Sequence, residues 1–206
     1  AELLESRGVG MAGVRDELRR RLELVGLDAE VLDRYPIELS GGMKQRMVMV
    51  ISTMLNPSLL IADEVTSALD VSTQKAVAET LVEFRDRHYV RSTLFITHDL
   101  SLVYQIADSI IVMYAGRLAE KAPTDTLVAA PRHPYTRMLL AALPEVGVRY
   151  GTRRLEGIPG SPPSLLNPPT GCRFRDRCPL AFDRCAEQPP FAEVAPDHFV
   201  ACWKAF

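Results

Sequence analysis

This 206-residue sequence lacks several features that would by themselves indicate a function. No stretch approaches the roughly 18 uninterrupted apolar residues that a membrane-spanning helix needs, and the richest run, residues 47–51, ends at Ser52. The N-terminus carries Glu2 and Glu5 and lacks the apolar core of a secretory signal. The formal net charge of -2 gives no basic excess that would indicate a nucleic-acid partner. These absences favour a soluble intracellular protein, and the first residue, Ala1, favours a piece of a longer chain.

The residues that are present are unevenly distributed along the chain. Hydrophobic residues make up 47% and charged residues 24%, which is typical of a globular protein. Only Pro36, Pro57 and Pro123 precede residue 130, whereas the other twelve prolines and all four cysteines follow it. We therefore expect regular elements over residues 1–130 and a loop-rich appendage over residues 131–206, with the proline-rich stretch 159–169 as a stiff linker.

The hydrophobic spacing alternates between helical and strand-like periods in the first part of the chain. Helical spacing begins near Val14, after Ser40, near residue 77 and near residue 102, and short apolar runs occupy residues 58–62, 92–97 and 110–113. This order predicts a parallel α/β sheet with crossover helices, followed by a turn at residues 115–116. The helix after Ser40 is expected to turn five residues inward: Met43, Met47, Val50, Ile51 and Met54.

One candidate site is the start of the helix that follows Ser40. Ser40 can cap that helix, and Gly41 and Gly42 let a ligand approach the backbone closely. The free N–H groups and the dipole at a helix start favour an anion such as phosphate. The simpler alternative is a serine cap with a glycine-rich entry loop.

Two further candidates lie at the ends of predicted strands, where open α/β sheets bind ligands. Asp63 and Glu64 follow the apolar run 58–62, so Asp63 could serve Mg²⁺ while Glu64 polarises an attacking water. The alternative for these two is a solvated acidic loop that caps the next helix. His98 follows the next strand and could hydrogen-bond a terminal phosphate, or it could be a structural loop residue, the interpretation given to His88 and His198.

Taken together, four blocks resemble the ATP-binding subunit of ABC transporters. The blocks are residues 40–46, 59–64, 67–70 and 97–99, and they match in order the signature motif, Walker B, D-loop and H-loop of that family. The resemblance implies the P-loop NTPase (RecA-like) fold of an ABC ATPase domain. It departs from the usual pattern at Met43, where glutamine is commoner, and at Val65, where proline is usual.

The resemblance also implies roles for particular residues. Ser40, Gly41 and Gly42 would contact the γ-phosphate of an ATP held mainly by a second ABC ATPase subunit in a head-to-tail dimer. Asp63 would serve Mg²⁺ and Glu64 would be the catalytic carboxylate. His98 would be the switch histidine, and Asp70 would communicate across the dimer.

The phosphate-wrapping loop G-x-x-x-x-G-K-[ST] occurs nowhere in the chain. Residues 1–130 are therefore expected to be the latter part of an ABC nucleotide-binding domain without its N-terminal portion. We expect the 206-residue chain alone to hydrolyse ATP poorly or not at all.

The tail gives an independent signal. Two features resemble the C-terminal extension of oligopeptide and dipeptide importer ATPases: the residues His133-Pro134-Tyr135-Thr136, and the cysteine blocks at residues 171–174, 177–179 and 185. In a cytosolic protein, clustered cysteines more plausibly bind metal than form disulfides, and their spacing lacks the C-x-x-C knuckles of structural zinc. A [4Fe–4S] cluster, Zn²⁺ and free or oxidised thiols remain open alternatives. The candidate ligands are Cys172, Cys178, Cys185 and Cys202, with nearby Arg173, Arg175, Arg177 and Arg184 available to offset negative charge.

The function implied by these resemblances is that of an ATP-binding, ATP-hydrolysing subunit of a peptide-type ABC importer. Its partners would be the second ATPase subunit, membrane-spanning permease subunits and, indirectly, an extracytoplasmic solute-binding protein, with no nucleic acid. It would lie peripherally on the cytoplasmic face of the membrane. Two alternatives stay open, a non-catalytic metal-stapled binding module and a non-transport ABC-type ATPase. Peptides, nickel and other small solutes are all compatible with the sequence.

Overall fold

The computed structural model describes residues 13–67, 69–143 and 157–205. The chain divides into two compact units, residues 1–106 and residues 107–206. The two units are separated by how densely their residues contact one another, which does not test the predicted boundary near residue 130 between the ATPase domain and the extension. That boundary stays a prediction. Among the described residues, no helix combines the length and apolarity that crossing a membrane would require.

The first unit alternates helices and strands in the order expected. Its elements are α1 (Val14–Leu24), α2 (Gly41–Thr53), β1 (Leu59–Asp63), α3 (Val71–Asp86), β2 (Ser92–Ile96) and α4 (Leu100–Ile106), with two 3₁₀ turns between α1 and α2. Strands β1 and β2 pair in parallel, with Leu59 opposite Ser92 and Asp63 opposite Ile96. Because α3 connects two parallel neighbours, it forms the predicted crossover.

One apolar core holds the first unit together. Phe84 and Val77 from α3, Ala62 from β1 and Leu22 from α1 are buried in it. The alternate residues of the strands, such as Ile61 and Leu94, remain exposed.

Helix α2 turns a slightly different face inward from the one expected. Met49, Val50 and Thr53 are its buried residues, whereas Ile51 is 51% exposed, so the predicted inward position of Ile51 is wrong. The hydroxyl of Thr53 donates to the carbonyls of Met49 and Val50 at 3.0 Å. This polar residue can occupy the core because its hydrogen bond is made within the helix, and a pattern of apolar residues alone does not reveal it.

The second unit is built on an antiparallel sheet. Its elements are β3 (Ser109–Tyr114), β4 (Arg117–Pro123), α5 (Thr124–Ala129), α6 (Pro134–Ala141), β5 (Ala192–Ala195) and β6 (His198–Val200), and the strand order is β3-β4-β6-β5. Two 3₁₀ turns, Arg175–Arg177 and Asp183–Ala186, interrupt the loops before β5. The tail is therefore loop-rich, as expected, but it also adds two short strands, β6 and β5, to the sheet.

The third predicted strand does not join the parallel sheet. Strand β3 pairs antiparallel with β4, and Tyr114 stands opposite Arg117. Ala115 and Gly116 both have positive φ, 46° and 75°, which suits the type I′ turn of a two-residue hairpin. The turn at 115–116 is confirmed, and its handedness fixes the antiparallel pairing that the period of the strand could not indicate.

Candidate functional site

The carboxyl edge of the parallel strands brings together two of the predicted residues. Glu64 follows β1 and His98 lies two residues after β2, and the Oε1 of Glu64 is 3.1 Å from the Nδ1 of His98. Both side chains face solvent, with exposures of 43% for Glu64 and 80% for His98. The pair can therefore reach a ligand beyond the sheet edge, where open α/β sheets bind them.

The backbone of Glu64 is held in an uncommon conformation. Its φ of 49° lies in the left-handed region, which non-glycine residues seldom occupy. Its N–H donates to the carbonyl of Ile96 at 2.9 Å, and its carbonyl accepts from the N–H and the hydroxyl of Ser67 at 3.0 and 2.8 Å. These bonds fix Glu64 although Val65 stands in the position where the family pattern has proline.

The electrostatics of the pair favour a charged imidazole. The hydrogen bond to Glu64 raises the pKa of His98 above its ordinary value, and the negative charges of Glu64 and Asp99 act in the same direction. A protonated His98 at this edge would be a donor for an anionic ligand.

Asp63 ends β1 opposite Ile96 in the same register, and its side chain is exposed. The next helix is capped by Asp70, so the alternative in which the residue 63–64 loop caps that helix is not what the structure shows. Asp63 is consequently available to a ligand at the edge, as an exposed carboxylate of the type that Mg²⁺ prefers.

Ser40 caps α2 as expected. Its Oγ accepts from the N–H of Met43 at 3.3 Å. A Cβ added to Gly41 would meet no atom within 4 Å, and one added to Gly42 would meet only the Thr73 side chain, at 3.7 Å. The chain's own packing therefore does not require glycine at either position, although glycine costs a helix about 1 kcal/mol relative to alanine.

Asp70 acts as the N-cap of α3. Its carboxylate accepts from the N–H of Thr73 at 3.0 Å and from the hydroxyls of Ser72 and Thr73. The hydrogen bond from Ser72 is the largest of several effects that lower the pKa of Asp70. Its local role is to start a helix, and its predicted role across a dimer stays a prediction.

The structure therefore assembles the candidate residues into two groups. Glu64 and His98 form a direct contact, with Asp63 one residue away, and Gly42 approaches Thr73 at the start of α3. Within the described ranges, no hydrogen bond joins Ser40 to Glu64 or His98, and the hydroxyl of Ser40 is used by its own helix.

In the second unit, all four cysteines line one cavity. The other residues around it are His133, Pro134, Phe174, Leu180, Phe182, Pro189, Trp203 and Lys204. The cysteines are free and partly buried. The fold thus brings Cys172 and Cys202, which are 30 residues apart in the sequence, to the same thiol-lined cavity.

The thiols in this cavity experience opposing influences. Burial raises the pKa of Cys172, Cys178 and Cys202, and the backbone of Phe174, Leu180 and Lys204, each two residues beyond a cysteine, hydrogen-bonds to the sulfur and opposes that shift. Backbone N–H donors aimed at sulfur favour a thiolate over a thiol. Burial is nevertheless the larger influence, so the pKa of these three thiols is raised overall.

The arginines expected to offset negative charge mostly turn elsewhere. Arg173 donates to the carbonyl of Ala115, Arg177 donates to the carbonyls of Ile158 and Pro159, and Arg175 pairs with Asp176. Arg184 stacks on the ring of Trp203 at 3.8 Å. Among the described residues that line the cavity, the cation is Lys204, which the sequence interpretation missed because no motif marks its position.

The cavity does not hold a preformed metal geometry. Over the described ranges 13–67, 69–143 and 157–205, no three His, Cys, Asp or Glu side chains are arranged to hold a metal ion. The donor type and the enclosure suit a metal–thiolate centre, but the sulfur atoms would have to move together to bind one.

Comparisons with known proteins agree with both halves of this description. Residues 6–67 match the family model described as ABC transporter, and residues 119–185 match the model described as oligopeptide/dipeptide transporter, C-terminal region. The solved ATP-binding cassette of an ABC transporter, in an ADP conformation, matches with a TM-score of 0.51 and 20% identity over 60% of this chain and 49% of that one. That likeness shows the fold.

Sequence relatives cover almost the whole chain. A Brucella ovis protein named for peptide import and ATP binding is 43% identical over 203 residues, 98% of this chain. A dipeptide transport ATP-binding protein of Haemophilus influenzae is 41% identical over 190 residues, 92% of this chain. The chain spans 63% and 58% of the length of these two relatives. The chain therefore carries two family regions, part of an ABC transporter domain and the oligopeptide/dipeptide transporter C-terminal region, and along most of its length it is similar to ATP-binding proteins of peptide ABC transporters.

Proposed function

We propose that this chain supplies part of an ATP-hydrolysing site that energises import of peptides or similar small solutes. The observation that carries the proposal is the 3.1 Å contact between Glu64 and His98 at the carboxyl edge of two parallel strands. A carboxylate there can accept a proton from water, and the histidine can donate to a phosphate oxygen. Relatives named for peptide import and dipeptide transport support the same function.

The residues have separate roles in this proposal. Glu64 is the general base, His98 senses the terminal phosphate, and Asp63 holds Mg²⁺, which neutralises charge on the phosphates when bound. Asp70 fixes the start of α3 and communicates with the neighbouring subunit.

The glycine-rich start of α2 supports the part of the proposal that concerns binding. Gly41 and Gly42 are not required by the fold, since a Cβ at either position meets open space or ordinary van der Waals contact. Their absent side chains leave room for something outside the chain, and the free N–H groups at a helix start favour an anion. Ser40, Gly41 and Gly42 would contact the γ-phosphate of an ATP held mainly by the second subunit.

The assembly that follows is a head-to-tail pair of ATPase subunits on membrane-spanning permease subunits, served by an extracytoplasmic solute-binding protein. The chain would then lie peripherally on the cytoplasmic face of the membrane. Residues 1–130 would carry the nucleotide site and residues 131–206 the extension. Because no phosphate-wrapping loop occurs in the 206 residues, we expect the isolated chain to hydrolyse ATP poorly or not at all. Steady turnover by the purified chain, abolished by Glu64→Gln, would contradict this.

Uptake of a labelled dipeptide by cells that depend on this gene tests the import function. His98→Asn removes the imidazole at the sheet edge, and we expect uptake to fall to background at unchanged protein level. His88→Asn is the matched control, since His88 is exposed and has a φ of 61° that asparagine tolerates. Normal uptake with His98→Asn would reject the role of the site in import.

We also propose that Cys172, Cys178, Cys185 and Cys202 hold a [4Fe–4S] cluster, with Zn²⁺ as the alternative ion. Four thiols around one cavity support this, and three of them receive a backbone hydrogen bond on sulfur. The cluster would cross-link loops that contain little regular structure. Iron and zinc analysis of the anaerobically purified native protein decides the question: about four irons per chain is expected, and stoichiometric zinc or metal-free thiols would overturn the cluster.

A further inference from the structure

A buried polar cluster lies beside the cysteine cavity in the second unit. Glu120 of β4 is fully buried, and His198 of β6 and His133 at the start of α6 are 2% and 4% exposed. Charged residues are almost never fully buried unless they are paired. The position of Glu120 therefore needs a physical explanation.

The carboxylate of Glu120 accepts three hydrogen bonds from two separate segments. The backbone N–H groups of Arg132 and His133 donate to its two oxygens at 2.7 and 3.0 Å. The Nε2 of His198 lies 2.7 Å from its Oε1. One side chain on β4 thus fixes both the segment that enters α6 and the strand β6.

His133 continues this connection to the wall of the cavity. The N–H of Tyr135 donates to its Nδ1 at 3.0 Å, so that nitrogen is unprotonated and the proton lies on the other ring nitrogen. The ring also makes a hydrogen bond to the backbone of Ala201, which directly precedes Cys202. His133 itself lines the cavity together with the four cysteines.

The segment after β6 that carries Cys202 is therefore held from two directions. The N–H of Ala201 donates to the carbonyl of Ala119, the residue before Glu120, at 2.8 Å. The backbone of Ala201 also makes the hydrogen bond to the His133 ring. Among the described residues, the hydrogen bonds of Glu120 go to Arg132, His133 and His198, and through them it orients the two histidine-bearing segments on either side of Cys202.

We propose that Glu120 is the positioning residue of the cysteine cavity: through His133 and His198 it holds the wall that presents Cys202 to the other three thiols. This inference rests on the proposed metal–thiolate function of the cavity. A residue with a purely structural role would change the stability of the whole unit, whereas a positioning residue changes Cys202 more than the cysteines held elsewhere.

Glu120→Gln tests this distinction because it preserves size and removes the second acceptor. Its amide NH₂ would face a backbone N–H donor, so one of the three bonds is replaced by two opposed donors. Glu193→Gln is the matched control, since Glu193 lies in the same sheet and accepts a hydrogen bond from Asp197 at an exposed position. His198→Gln, which keeps a side-chain donor toward Glu120, is a second variant.

Two measurements on the native metal-free protein and its variants are needed. The first is alkylation of each cysteine, resolved by mass spectrometry under native conditions. We expect Glu120→Gln to raise the labelling of Cys202 relative to Cys172 severalfold, and Glu193→Gln to leave that ratio unchanged. The second is anaerobic titration with Fe²⁺ and sulfide, for which we expect the apparent affinity to fall by about tenfold or more.

The outcomes separate the two proposals. If the wild type takes up no iron, the metal function fails, but a selective rise at Cys202 still supports the positioning role. If the wild type binds iron and Glu120→Gln binds it equally with an unchanged labelling ratio, the positioning role is wrong. If Glu120→Gln does not fold, the same ratio in His198→Gln decides, and equal labelling of all four cysteines there overturns the inference.

Discussion

At the scale of single residues, Glu64 combines an uncommon backbone with an exposed carboxylate. Its φ of 49° is maintained by bonds to Ile96 and Ser67, and its Oε1 is held beside His98. Non-glycine residues with left-handed backbone angles are unfavourable by themselves and persist where surrounding hydrogen bonds hold them, which is common at functional sites. Here that orientation points the carboxylate toward the ligand edge of the sheet.

His98 should titrate above its ordinary pKa of 6.5 because Glu64 stabilises the imidazolium. The stability that this pair contributes is present below pH 6.5 and is lost as the pH rises through the elevated pKa of the folded state. NMR titration of His98 checks the direction, and Glu64→Gln should return the pKa toward 6.5. A wild-type pKa at or below that of the variant would show that the contact does not persist in solution.

His133 should act in the opposite sense, because burial lowers its pKa from 6.5 to about 4. The unfolded chain binds a proton between these values while the folded chain does not, so the second unit loses stability as the pH falls from 6.5 to 4. The expected loss is about 3 kcal/mol. Urea unfolding followed by Trp203, the single tryptophan, measures it.

The control for this prediction is His133→Asn, which keeps a side chain able to cap α6 but cannot titrate. Its stability should fall less steeply with pH than that of the wild type, and His88→Asn should behave like the wild type. Equal slopes for His133→Asn and the wild type would contradict the assignment.

At the scale of elements, the sequence pattern predicted the parallel pair and its crossover helix well. The runs at 58–62 and 92–97 became β1 and β2 because short apolar segments joined by a helix of α3's length can pair in parallel and pack one face on the core. The pairing of the third strand and the buried face of α2 were harder to predict. The hairpin depends on the handedness of residues 115–116, and the burial of Thr53 depends on a local hydrogen bond.

The candidate site was predictable to a similar extent. Glu64 and His98 could be placed at one sheet edge from their positions after strands. Glu120 and His198 meet through the antiparallel pairing of β4 with β6, and His133 joins them from the start of α6 through its backbone N–H, neither of which a sequence pattern specifies. Their partnership therefore required the structure.

The loop that closes the cysteine cavity depends on Gly171. Its φ is 73°, and an added Cβ would lie 2.3 Å from the carbonyl oxygen of Ala186 and 2.6 Å from that of Cys185. Gly171→Ala should separate the loop from that backbone, displace Cys172, and lower the free energy of unfolding of the second unit by about 2 kcal/mol or more. Urea unfolding followed by Trp203 fluorescence measures this.

Gly157→Ala is the matched control, because an added Cβ there meets nothing within 4 Å. Its stability should stay within about 0.5 kcal/mol of the wild type. If Gly171→Ala were equally harmless, the loop would be looser than the described contacts indicate.

At the scale of the whole molecule, two compact units carry two different kinds of chemistry. The first presents a carboxylate–histidine edge and a glycine-rich helix start, and the second encloses four thiols beside a buried glutamate. The family matches fall on both units, at residues 6–67 and 119–185. Their combination supports the proposed role in a peptide importer over the two alternatives, a non-catalytic binding module and a non-transport ATPase.

The central claim is that Glu64 is the general base of ATP hydrolysis in the native assembly. The most direct measurement is the ATP turnover rate of the transporter purified with its partner subunits, comparing wild type with Glu64→Gln. Glu79→Gln serves as control, since Glu79 is an exposed residue of α3 that faces Lys75. We predict a fall of about 10²- to 10⁴-fold for Glu64→Gln and an unchanged rate for Glu79→Gln. A wild-type rate in the Glu64→Gln transporter would contradict it.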